Sequence, residues 1–307
     1  MSTPWFRQSK KLLPVIVLAL LLVPAVILVG KRQLLDSKAS NQILAQVSSG
    51  VIGPTKVLVL EFNPIIESQN NQRLSLYKNW GNPLALENQY MSDINSVSGG
   101  AVSYQIMERT IIDGFPTKQD GFSYTDDSYL ACLASNTCHQ PDWADYLKIL
   151  SDYNVCDRVN SGEIDELWLW GGPWFGYYEA IMTGPGAFST NGGPLTGSTC
   201  QRKLNIMGFN YERAVPEMLE DMGHRIEGTM RQVYGSWTAQ DFSHNWNKFT
   251  ALEKDSPGRA GCGNVHFGPN STSDYDWGNT RVVTSNCEDW LNYPNLTGST
   301  QQVSCTT

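Results

Sequence analysis

Apolar residues in this chain gather into continuous runs more often than into alternating ones, the pattern of strands buried on both faces. Residues 56–62 form the first such run, a β-branched and aliphatic stretch closed by Asn63 and Pro64. Residues 164–170 form a second, ended by Gly171-Gly172-Pro173, and residues 204–210 a third. Between the first two, 102–112 carries recurrent tyrosine, isoleucine and threonine and predicts a further strand. Helical spacing separates these runs. Trp143, Tyr146, Leu147 and Leu150 recur at three and four residues within 142–153. The clearest helix is 216–234, with proline in its first turn and Gly235 at its end. Strands separated by helices predict an α/β fold: an open, mostly parallel sheet with flanking helices. From about residue 236 periodicity gives way to aromatic, Gly, Asn, Asp and Ser residues, which predicts a loop-rich, disulfide-containing carboxyl-terminal cap.

The longest apolar run is 12–29, flanked by Arg7, Lys10 and Lys11 before it and by Lys31 and Arg32 after it. At 1.5 Å per residue it would span roughly 27 Å, near the thickness of a bilayer core. No small-x-small cleavage site follows directly, so an uncleaved signal-anchor is expected rather than a signal peptide. The expected organisation is a short cytoplasmic tail at 1–11, a transmembrane anchor at 12–29 and a juxtamembrane stalk at 30–53. A domain at 54–307 would then lie outside the cell membrane as the extracytoplasmic part of a single-pass protein, with the lipid bilayer as partner.

Cysteine usage agrees with that orientation. All seven, Cys132, Cys138, Cys156, Cys200, Cys262, Cys287 and Cys305, follow the anchor, and an oxidising compartment lets them pair. Cys132 with Cys138 and Cys262 with Cys287 are natural bridges, although several connectivities fit and an odd count leaves one thiol over. No CxxC pair supports a zinc-cysteine cluster. Five of the 22 basic residues and none of the 30 acidic ones precede residue 33, so the remainder balances at −13. Such a surface repels phosphate backbones, which argues against nucleic acid as a partner.

Open α/β sheets bind ligands beyond the carboxyl ends of their strands. Here those ends deliver Glu61 and Asn63, then Trp170, Trp174 and Tyr177 around Gly171-Gly172, then Glu212. Carboxylates beside aromatic faces suit a polar, glycan-like ligand, while buried aromatics at a strand-end turn are the plainer reading. Helix 216–234 carries an apolar stripe of Met218, Leu219, Met222, Ile226 and Met230. Glu220, His224 and Glu227 lie opposite, spaced so that their side chains can meet one ligand. The stripe reads either as a solvated face or as a site.

The cap segment Gly261-Cys262-Gly263-Asn264-Val265-His266 supplies a second imidazole. With Glu220 and His224, His266 would complete a two-histidine, one-carboxylate set for a divalent metal such as zinc. His224, Glu227 and His266 are the candidate catalytic groups, with a glutamate orienting His224. No HExxH, GxSxG, GxGxxG or phosphate-loop motif occurs. Two functions follow. One is a membrane-anchored extracytoplasmic hydrolase, metal-dependent, acting on a glycan or cell-wall substrate. The alternative is a non-catalytic cell-surface domain for carbohydrate binding or structural interaction.

Overall fold

The computed structural model describes residues 53–235, 242–293 and 295–304. Strand β1 (Thr55–Phe62) lies between β2 (Tyr104–Ile112) and β3 (Glu166–Gly171), and β5 (Leu204–Asn210) pairs with β3. These contacts are all parallel. The short β4 (Ala180–Thr183) closes the edge antiparallel to β5. The order β2-β1-β3-β5-β4 is the mostly parallel α/β sheet that the continuous apolar runs predict.

Burial on both faces explains those runs. Leu58, Leu60 and Phe62 of β1, Leu167 and Leu169 of β3, and Leu204 and Ile206 of β5 point into one core. Helices α2 (Asp126–Ser135), α3 (Tyr146–Asp152) and α4 (Val155–Asn160) supply Tyr129, Tyr146, Ile149, Leu150, Val155 and Val159 to it. On the opposite face, Tyr90 of α1 (Pro83–Val97) packs edge-on to Trp168 at 5.5 Å and Phe209 at 5.6 Å. Period-two alternation therefore assigns each strand residue to one of two apolar layers. Cys132–Cys138 and Cys156–Cys200 bridge the first core.

Two compact units emerge, Gly53–Asp93 with Ser103–Met222, and Ile94–Val102 with the residues from Gly223 onward. Helix α5 (Val215–Tyr234) starts in the first and continues into the second. The second unit has little regular structure: helix α6 (Asn245–Phe249) and a two-stranded antiparallel ribbon of β6 (Val283–Ser285) and β7 (Gln301–Val303). The ring of Phe249 meets Trp290 at 5.3 Å, and the Cys262–Cys287 bridge closes the cap as expected. Gly261 packs against the backbone carbonyls of Lys248 and Phe249, which leaves no room for a Cβ there. Bonded to Cys287, Cys262 is a structural cysteine. Cys305 lies outside the described residues.

The single-pass membrane topology is corrected. Among the described residues no helix is long and apolar enough to cross a membrane. The transmembrane anchor at 12–29, with the tail at 1–11 and the stalk at 30–53 up to residue 52, falls outside the described residues. The bilayer partnership and the extracytoplasmic cell-membrane location that rested on that run are corrected with it, since neither has support among the described residues.

Candidate metal centre

Helix α5 places Glu220, His224 and Glu227 at spacings of four and three, so all three side chains issue from one side. That stripe is not a solvated face. His224 is 7% exposed and Glu227 2%. Burial follows from the cap: Glu227 Oε1 accepts the backbone N–H of Val265 at 2.8 Å. The turn holding Val265 is fixed by Asn264, whose Oδ1 accepts the N–H groups of His266 at 3.1 Å and Phe267 at 3.0 Å. Gly263, at φ +82°, provides the left-handed entry into that turn.

The two imidazoles then meet edge to edge, Nε2 of His224 standing 3.0 Å from Nε2 of His266 with the rings at 88°. Each ring faces a carboxylate on its other nitrogen. His224 Nδ1 lies 3.4 Å from Glu227 Oε2, and His266 Nδ1 lies 3.1 Å from Asp274 Oδ1. A carboxylate favours the tautomer with its proton on Nδ1 and so turns the Nε2 lone pair towards the opposite side. Both Nε2 atoms therefore face one place, where a metal ion could take them as ligands. Glu220 supplies a carboxylate oxygen to the same place: ligand atoms of Glu220, His224 and His266 all lie within 4.8 Å of one another.

The donor set fits a divalent transition metal. Two imidazoles and one carboxylate are a recurrent zinc set, and nitrogens bound tetrahedrally at roughly 2.0–2.1 Å stand about 3.3 Å apart. Reaching that spacing from 3.0 Å needs a shift of a few tenths of an ångström. Burial pushes the Asp221 carboxyl well above the usual carboxylate range, and the neighbouring Glu179, Glu220 and Glu217 push it further.

The residues from the strand ends sit at the carboxyl edge of the sheet, with partners of their own. Glu61 is buried and its Oε2 accepts Arg109 Nη1 at 2.6 Å, while Asn63 Nδ2 donates to Glu61 Oε1 at 3.0 Å and to Ser75 Oγ at 2.9 Å. Trp170 is fully buried, stacked on Tyr211 at 5.7 Å and donating through Nε1 to Glu87. The Trp174 carbonyl accepts the buried Lys118 ammonium at 2.6 Å. Tyr177 keeps a buried hydroxyl with no hydrogen-bond partner, and Glu212 is exposed. Glu87, Arg109, Asp274 and Tyr275 are the participants that sequence reasoning missed. Glu87 and Arg109 join Glu61 in a buried cluster of two carboxylates on one guanidinium.

No family model, curated protein or solved structure matches the chain. The expectation of a membrane-anchored hydrolase is also corrected at this point: its anchor finds no crossing helix among the described residues, and what the structure assembles is a cluster able to hold a divalent metal.

Proposed function

We propose that this protein is a non-catalytic interaction domain whose cap is organised by one divalent transition metal, such as zinc, held by His224, His266 and Glu220. The observation that carries this reading is the convergence of two carboxylate-backed imidazoles through their Nε2 atoms at 3.0 Å. One of these histidines sits on a long helix and the other in an irregular segment with little regular hydrogen bonding of its own. A metal joining them adds binding free energy to the folding of the cap. Its role is then to fix the shape of the surface that the cap presents. The depth of Trp170 favours the interaction form of this reading over sugar stacking, since a ring without exposed area offers no face to a ligand.

Metal content by mass spectrometry and thermal unfolding with and without zinc test the proposal. The expected result is one ion per chain and a higher melting temperature, worth about 2.7 kcal/mol when free metal stands at 100 times Kd. His224→Ala and His266→Ala should each abolish both effects. Absence of bound metal in the wild type, together with an unchanged melting temperature, would defeat the reading.

A further inference from the structure

Tyr275 occupies a conformation that an aromatic residue rarely adopts, with φ at +52°. Its backbone N–H donates to the His266 carbonyl at 3.1 Å, which folds the loop back on itself. The phenol oxygen is thereby delivered to within 2.7 Å of His266 Nε2, the nitrogen that also faces His224 Nε2 at 3.0 Å. The rings of Tyr275 and His266 lie 4.2 Å apart. The preceding residue, Asp274, faces the opposite nitrogen of the same imidazole at 3.1 Å. One two-residue step of the loop therefore addresses both nitrogens of His266, the carboxylate orienting the ring and the phenol reaching its lone-pair side.

We propose that Tyr275 is the fourth ligand of the metal centre, binding through its phenolate oxygen and closing the coordination shell. The inference rests on the metal reading of His224, His266 and Glu220. The Tyr275 hydroxyl at present serves as a hydrogen-bond donor to a nitrogen whose lone pair a metal takes over. The O–H bond then breaks, its proton passes to solvent, and the oxygen pair forms the bond to the ion. The phenol oxygen and the imidazole nitrogen, now 2.7 Å apart, would separate by about 0.6 Å to reach the ~3.3 Å between neighbours in a four-coordinate shell. Four protein ligands leave no position for water or substrate, which is the arrangement of structural rather than catalytic sites.

Tyr275 is 53% exposed, so replacing it by phenylalanine removes one oxygen without opening a cavity. Full-length protein and the Tyr275→Phe variant are titrated with copper(II), and binding and visible absorption are followed together. Copper(II) accepts nitrogen and oxygen donors, and phenolate bound to it absorbs visible light by charge transfer to the metal. The wild type is expected to bind one equivalent and to develop that band. Y275F is expected to lose the band and to bind at least 10-fold more weakly, with His224→Ala as the control for a broken centre. Copper bound by the wild type without the band, or with affinity unchanged in Y275F, would overturn the role of Tyr275 and leave the three-ligand site standing. No copper or zinc bound by the wild type would overturn the metal reading itself, and the fourth ligand with it.

Discussion

Glu227 serves two partners with one carboxylate. Oε1 accepts the Val265 N–H of the cap, and Oε2 faces Nδ1 of His224. The first interaction is available to any side-chain carbonyl, whereas the second depends on charge. Glu227→Gln separates them, since glutamine can still accept from Val265 but no longer backs the imidazole with a negative oxygen. Second-shell carboxylates of this kind are worth about 10–100-fold in metal affinity. E227Q is therefore expected to weaken zinc binding by about that factor while the metal-free protein unfolds near the wild-type temperature, measured by competition with a chromogenic chelator and by calorimetry. Equal zinc affinity in the two proteins would remove Glu227 from the centre. A different balance governs Glu87, which is fully buried beside Arg109 and Trp170. Burial pushes its carboxyl from the ordinary 4.5 up to about 7, against the pull of Arg109 and the Trp170 hydrogen bond. The folded protein thus holds this proton more tightly than the unfolded chain does. Its contribution to stability is complete below pH 4.5 and is lost as pH rises to about 7. Denaturant unfolding across that window should show stability falling with pH, and Glu87→Gln should flatten the slope whatever its effect on the midpoint.

At the scale of elements, what could be read in advance was what burial writes into local sequence. The runs 56–62, 164–170 and 204–210 correspond to β1, β3 and β5 within about two residues, because strands covered on both faces have no polar side to interrupt them. Helix 216–234 was legible from its spacing and matches Val215–Tyr234. The segment 142–153 was legible only in part: its helix starts at Tyr146, where Asp145 caps it by accepting the Lys148 N–H at 2.9 Å. Helix α1 gave little warning. Its buried residues Pro83, Glu87 and Tyr90 mix polar and apolar types, and their burial comes from tertiary packing that no local pattern encodes. The metal centre divides the same way. Glu220, His224 and Glu227 were placed together by helical geometry, and His266 by the glycine-shaped turn around it. Asp274 and Tyr275 lie in a stretch without periodicity, so nothing but the folded loop brings them to His266.

Across the whole molecule, order is unequally distributed. Among the described residues, the sheet unit holds itself together with two apolar layers and two disulfides, whereas the cap has short elements and a single bridge, Cys262–Cys287. That bridge spans 25 residues of sequence, and Val265, His266, Asp274 and Tyr275 all lie inside the ring it closes. Closing a ring of this size removes freedom from the unfolded chain worth about 3.5 kcal/mol. The same closure restricts how far His266 can wander from His224. Thermodynamic reciprocity then joins two equilibria that share no atom: if the intact bridge tightens metal binding by some factor, bound metal must protect the bridge from reduction by that factor. For a two-electron couple, each tenfold of coupling lowers the potential by about 30 mV. Equilibration of the protein with thiol–disulfide buffers, with zinc and with a chelator, is expected to show the Cys262–Cys287 couple shifting to more negative potential when zinc is present, while Cys132–Cys138 stays where it was. Identical titration curves with and without zinc would mean that the ring and the ion are energetically independent. If they are coupled, the cap reports on thiol poise and metal supply as one combined variable, loosening only when both run against it.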